Sequence, residues 1–348
     1  MSKIIFLFVA IFITVDAHLG YHKDHPYNQH YAEHMKKFGI DHESLDLTEV
    51  DKREKTFLKH MKYYDEHNKN YPYHKVGPTP FSDREPKEVT DEICRTERQP
   101  TMRSLPVAPS IVPNVAGITA PPSLDYRPYI NQILNQGGCG SCWAFSTMSM
   151  LGIWNNLRTN GAVNTSYSPQ FAVDCDTTDN GCNGGWPTNL LLWLNNSAQA
   201  SAPISTEYPY TSGTTKVRNT CNLTPTKQPL YFKRIYEVNV LGNVELAKLL
   251  LYIYGPMVTA IYAPPCTSFM SYKSGVYVDN CGCPTGSVCN QVNHGVVLVG
   301  YGTDQTNGMP YWLLLNSWGP NWGEGGYIRM YRDPYNRCNP ICFLMGVE

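Results

Sequence analysis

Residues 135–145 read Asn135-Gln136-Gly137-Gly138-Cys139-Gly140-Ser141-Cys142-Trp143-Ala144-Phe145. Small polar residues lead here into an apolar stripe. Trp143, Phe145, Met148, Leu151, Trp154 and Leu157 return at helical spacing, and Asn160-Gly161 supplies a stop. The pattern predicts a helix over 141–157 with Cys142 in its first turn. A thiol in that place meets unsatisfied N–H groups and partial positive charge, which favour its ionised form. A reactive thiolate also needs a proton partner elsewhere in the chain.

The chain has ten histidines, nine of them between His18 and His74. After residue 120 there is one, His294, followed by Val-Val-Leu-Val between glycines. Residues 295–300 and 311–315 read as buried strands, so His294 and Asn316 stand at strand ends. An imidazole beside the thiol would hold it ionised and later return a proton to a leaving amine. Gln136 lies six residues before Cys142. Its side-chain NH₂ and the Cys142 backbone N–H would donate to a developing oxyanion.

Twelve cysteines occur: Cys94, then eleven from Cys139 to Cys342. An odd number in an oxidising compartment leaves one thiol over, and parity alone does not say which. No C-x₂-C pair meets a second at zinc-finger spacing, so neither metal nor cofactor is expected. Cys139 and Cys142 have the spacing of a thioredoxin-like pair, but Gln136 and the remote His294 and Asn316 argue for different chemistry.

The formal charge of the 348 residues is −1, which gives no reason to expect nucleic acid as a partner. Lys3 precedes an apolar run over 4–15, and Val15-Asp16-Ala17 offers a cleavage site. Twelve apolar residues fall short of the roughly 20 that span a bilayer. Residues 1–17 therefore read as a secretory signal, with no membrane partner expected. Residues 46–70 have a helical period. Residues 98–122 carry six prolines and no period, an exposed linker of the kind proteases nick. Sequons at Asn164, Asn195 and Asn222 suit a secretory protein.

The 135–145 stretch resembles the nucleophile motif of the papain-like cysteine proteases. Asn293-His294-Gly295 resembles that family's histidine strand, and 316–327 (Asn-Ser-Trp-Gly-Pro-Asn-Trp-Gly-Glu-Gly-Gly-Tyr) its asparagine motif. The resemblance implies an α+β, two-lobed fold: a helical lobe, a β-barrel-like lobe, and a cleft between them. It implies catalysis by Cys142, His294, Asn316 and Gln136, with Asn316 orienting the ring under the cover of Trp318. It also implies bridges Cys139–Cys182 and Cys175–Cys221, with a third from Cys281 or Cys289 to Cys338 or Cys342. Pairing of Cys266, Cys283 and the leftovers stays open, and Cys142 becomes the unpaired thiol. Gly185, Trp186 and Pro187 would form the cleft wall. A pocket of Trp186, Pro187, Ala260, Val292 and Gly295 suggests an apolar P2 side chain.

Residues 18–119 resemble the inhibitory propeptide of the cathepsin L-like branch, through Glu49, Arg53, Phe57 and Asn68, then 77–83 (Gly-Pro-Thr-Pro-Phe-Ser-Asp). His60, Tyr64 and Thr79 depart from that pattern. Asp125-Tyr126-Arg127 resembles an early mature sequence, placing a mature domain at 120–348. The expected partners are protein or peptide substrates and the chain's own leader as inhibitor, on a monomeric body. The leader histidines add an expectation: below about pH 6.5 they gain charge, which favours release.

Overall fold

The computed structural model describes residues 28–40, 45–96, 117–162, 165–197, 200–279, 281, 288–332 and 341–348. The signal read over 1–17, most of the proline-rich linker, Asn164, Cys283 and Cys338 lie outside the described residues. No described helix is long and apolar enough to cross a membrane.

The leader contributes helices α1 (Asn28–Phe38), α2 (Leu47–Asn70) and α3 (Pro86–Ile93) and strand β1 (His74–Val76). Asp46 caps α2, its carboxylate accepting from the Glu49 N–H at 2.8 Å. Tyr31, Met35, Phe57 and Leu58 form a small core that belongs to the leader alone. The helical lobe of the body is built on α4 (Cys142–Arg158), with α5 (Pro169–Cys175) and α6 (Pro187–Asn196) packed on it. Almost every side chain of α4 is buried. The helix is apolar nearly all round because helices cover one flank and a strand the other. It ends as its sequence predicts: Asn160 and Gly161 both take positive φ, and the Gly161 N–H reaches back to the Asn156 carbonyl.

The second lobe is a mainly antiparallel sheet that also takes in the short β2 (Leu124–Asp125). Strands β3 (Ser201–Pro203) and β4 (Lys227–Pro229) pair separately. The large sheet holds β5 (Ile235–Asn239), β6 (Met257–Ile261), β7 (Tyr272–Tyr277), β8 (His294–Thr303), β9 (Pro310–Leu315), β10 (Tyr327–Tyr331) and β11 (Phe343–Val347). Its order is β1-β7-β10-β9-β8-β6-β11-β5, with β2 on β8. The leader's β1 thus extends the body's sheet at an edge, satisfying backbone groups that would otherwise stand open. Central β8 is buried along nearly its whole length and packs against α4, which brings the start of one element beside the start of the other.

Bridges join Cys139 to Cys182 and Cys175 to Cys221, as the resemblance implied. Cys289 pairs with Cys342, one of the combinations left open for the third bridge, and Cys266 pairs with Cys281. Among the described residues, Cys94 and Cys142 remain as free thiols.

Candidate active site

Cys142 opens α4 and His294 opens β8; both are fully buried. Asn316 follows β9 directly. Its Oδ1 accepts from the Ser317 backbone N–H at 2.8 Å, which fixes the orientation of the amide. The same oxygen lies 2.7 Å from His294 Nε2, so Nε2 carries the hydrogen and donates. Nδ1 is left to face the sulfur side of the site. Trp318 covers the ring, with centroids 4.9 Å apart, and itself meets Phe81, Phe269 and Trp322 edge to face.

No group is aligned with Nδ1 for an ideal hydrogen bond, yet two thiols lie close enough to govern its proton affinity. Burial by itself would favour the neutral ring. The charges of Cys94 and Cys142 and their hydrogen bonding outweigh it and hold the His294 pKa well above its ordinary value. The converse holds at sulfur. Burial pushes the Cys142 thiol up, but hydrogen bonding and charge from His294, with the Gly295 N–H and Thr96, bring it down to about 7. A thiolate–imidazolium pair is therefore favoured at the start of α4.

Gln136 is fully buried in the loop before α4. Its Oε1 accepts from the Ser317 hydroxyl at 2.7 Å, which aims Nε2 into the site. Nε2 donates to the Cys139 carbonyl and to the Ile93 carbonyl, each at 2.9 Å. The second acceptor comes from the leader, so a main-chain carbonyl already occupies the place read as an oxyanion site. Ser317 was not singled out from sequence; its only signal was its place beside Asn316.

The leader's Ile93–Thr96 stretch fills the cleft. The Thr96 N–H donates to the Asn293 carbonyl at 2.8 Å, and the Gly185 N–H donates to the Arg95 carbonyl at 3.3 Å. The Thr96 hydroxyl is 2.9 Å from the Cys142 sulfur. Gly185 has to be glycine, because an added Cβ would lie 2.7 Å from the Trp143 ring. Asp179 shapes the same wall by accepting from the Trp186 N–H at 2.9 Å and Asn189 at 3.0 Å.

The residues read as a P2 pocket, namely Trp186, Pro187, Ala260, Val292 and Gly295, are all buried here. Ala260 stands opposite Gly295 in the β6–β8 ladder. Trp186 packs edge-on against Phe343, the residue next to Cys342, and its indole N–H donates to Glu237 at 3.0 Å.

The three leader positions that depart from the propeptide pattern each make a specific bond. His60 Nδ1 donates to the Ser82 carbonyl at 2.8 Å. The Tyr64 hydroxyl meets the hydroxyls of Ser82 and of Ser271, the latter across the leader–body boundary at 2.7 Å. Thr79 donates to the Met270 carbonyl at 3.0 Å. Asn68 holds both backbone groups of Val76 and so fixes β1.

Residues 120–341 match the model of the papain family cysteine protease. The chain is 32% identical over 317 residues to cysteine proteinase EP-B 1 of Hordeum vulgare, covering 89% of this chain and 76% of that protein. It is 36% identical over 229 residues to cathepsin B-like CP2 of Giardia intestinalis, covering 63% and 71%. Among solved structures, the proform of the ragweed pollen allergen Amb a 11 cysteine protease superposes with a TM-score of 0.75. That match has 27% identity and covers 91% of this chain and 92% of that one. With its α+β architecture and a leader seated in the cleft of its body, the chain belongs to the papain family of cysteine proteases and is made as a proenzyme.

Proposed function

We propose that Cys142, His294, Asn316 and Gln136 form the catalytic group of an endopeptidase that works through an acyl-enzyme. The observation that carries this reading is their convergence. The thiol and the imidazole bias each other toward charge, Asn316 fixes the ring, and Gln136 points its NH₂ at the Ile93 carbonyl of the leader stretch in the cleft. The Cys142 thiolate attacks the scissile carbonyl, and the tetrahedral oxyanion takes hydrogen bonds from Gln136 Nε2 and the Cys142 N–H. His294 gives its proton to the leaving amine, leaving a thioester. Water activated by His294 then hydrolyses it and restores the thiolate.

Substrate lies along Gly185 by main-chain pairing, as an added strand does. The apolar walls of Trp186, Pro187, Ala260 and Val292, over Gly295, favour an apolar P2 side chain. Phe343 beside Trp186 supports this, while Glu237 is engaged by the indole and by Thr188. A body whose one histidine is His294 has none for a His-bearing loop that would restrict it to chain ends. The leader inhibits by occupying the main-chain groups that substrate needs. Removal of residues 18–119, after loss of the signal at 1–17, leaves a mature domain over 120–348 that acts in the secretory pathway or beyond it. Asn195 and Asn222 are both exposed and open to glycosylation.

A peptidyl epoxide with a bulky apolar P2 group tests the reading. The reduced, acid-activated protein should take one label, on Cys142, and lose peptide hydrolysis with it. Labelling on another residue, or hydrolysis that survives full labelling of Cys142, would remove the proposal.

A further inference from the structure

Cys94 is the one cysteine before the linker, and no part of the proposed catalysis uses it. It sits within the leader stretch that fills the cleft, 7% exposed, and it acts on the same His294 ring as Cys142. The chain on either side of it is pinned to the catalytic group. One residue before, the Ile93 carbonyl is held by Gln136; two residues after, the Thr96 hydroxyl touches the Cys142 sulfur. A disulfide needs Cα atoms about 4.4–6.8 Å apart, and an extended chain advances about 3.4 Å per residue. Cys94 lies two residues from that sulfur contact and acts on the same His294 ring as Cys142, so a shift of the Ile93–Thr96 stretch would bring the two sulfurs together. Every other described cysteine is already bridged, so these are the two described thiols left to react with each other.

We propose that Cys94 and Cys142 form a reversible disulfide that locks the precursor, so that its release requires a thiol reductant as well as removal of the leader. The lock rests on the reading of Cys142 as the nucleophile. It would cap that sulfur in an oxidising compartment and tie the leader covalently to the body. The oxidant is a small-molecule disulfide such as oxidised glutathione, acting as the leader docks and before both thiols are buried. The Cys142 thiolate attacks one sulfur of that disulfide and expels one thiolate. Cys94, deprotonated, then attacks the Cys142 sulfur of the mixed disulfide and expels the second. Two protein thiols are oxidised to one disulfide, and the small disulfide is reduced to two thiols, which take up the two protons. A small thiol reverses the sequence once the cleft opens.

The test uses the full precursor, folded in a mixture of reduced and oxidised glutathione, then quenched with acid and alkylated. The expected result is loss of both thiols, a mass lower by the matching pair of hydrogens, and a linked Cys94–Cys142 peptide pair in a non-reduced digest. After an added protease nicks the linker, the leader should stay with the body on a non-reducing gel and separate on adding dithiothreitol. In Cys94→Ser and Cys94→Ala, the nicked leader should separate without reductant. Should neither variant fold, the wild-type digest decides alone. Recovery of both thiols alkylated, glutathione on Cys142 with Cys94 free, or Cys94 linked to another cysteine would each overturn the lock. Epoxide labelling of the reduced, activated protein separates the two ideas. If it labels at Cys142, the nucleophile stands whatever becomes of the lock; if it does not, the underlying reading has failed.

Discussion

Gln136 makes the clearest case for how little of a site one side chain reveals in isolation. In the sequence it is a polar residue in a glycine-rich loop. In the fold its two ends are spoken for: Ser317 on the oxygen, and the Cys139 and Ile93 carbonyls on the nitrogen. Gln136→Ala in the leader-free protein is expected to lower kcat about 100–1,000-fold, with the fold intact. Ser317→Ala leaves Gln136 in place but frees its orientation, and a smaller loss of about tenfold is expected. Steady-state kinetics on one peptide measures both; equal rates for wild type and Gln136→Ala would remove Gln136 from the oxyanion role. The residue types were legible before the fold was known, because a thiol, an imidazole and amides are chemically distinctive. What was not legible was that Ser317 aims the glutamine, or that Cys94 shares the imidazole with Cys142. Both depend on contacts between residues far apart in sequence, which no local pattern encodes.

Among elements, α2 shows where periodicity succeeds and where it stops. The stripe from Leu47 to Tyr64 predicts a helix over 46–70; the helix spans Leu47–Asn70 with Asp46 as its cap, and Leu47 itself is exposed. Likewise the predicted strand at 295–300 lengthens to His294–Thr303, because both faces are covered and pairing with β9 resumes past a register shift between Leu298 and Gly300. Short β1 carried no period and was missed; it exists because Asn68 clamps Val76 and β7 offers an open edge. The charged pattern of α2 has structural work that its spacing alone did not disclose. Arg53 pairs with Glu49 at 2.9 Å and with Asp83 at 3.4 Å, and Asp83 is only 1% exposed. Burial pushes the Asp83 carboxyl up, and Arg53 pulls against it. Arg53→Ala would leave that carboxyl buried without its partner, a loss of about 3–5 kcal/mol. Thermal unfolding of the precursor should show a leader transition well below that of wild type. Tyr64→Phe removes only its hydroxyl bonds and should cost roughly 1–2 kcal/mol. Unchanged melting in Arg53→Ala would mean that the pair does not hold the leader.

Across the molecule, the leader's histidines set the response to pH that the fold leads one to expect. Charge gain below about pH 6.5 that favours release was the expectation, and four of the five described leader histidines are buried. His34 is held down at about 4 and His74 at about 3, chiefly by burial, and His60 and His67 are lowered for the same first reason. His74 lies among His67, Tyr71, Tyr272 and Tyr277, with Lys75 adding a like charge; His34 lies against Tyr31, Phe38 and Phe57, with Lys37 nearby. The sign follows from linkage. A folded pKa below the unfolded value of about 6.5 means that the unfolded leader binds more protons. The stability of the packed leader is therefore full above pH ~6.5 and falls as pH drops toward the folded values. For His34 alone the span is worth ~3 kcal/mol. Release of the leader should accelerate from about pH 6.5 downward, and His74→Phe or His34→Leu should move that onset lower by about half to one unit. Leader release across a pH series with dithiothreitol present measures it on a gel, and an onset unmoved in both variants would exclude these rings as the sensor.

The proposed chemistry depends most on His294 keeping the Cys142 sulfur ionised, and alkylation of that sulfur in leader-free protein tests it directly. With the precursor first reduced and the leader then removed by an added protease, Cys142 should already react rapidly with iodoacetamide at about pH 7. In His294→Ala the rate should follow an ordinary thiol, rising only near pH 8.5 or above. Identical pH profiles for the two proteins would contradict the pairing and, with it, the nucleophile assigned to this site.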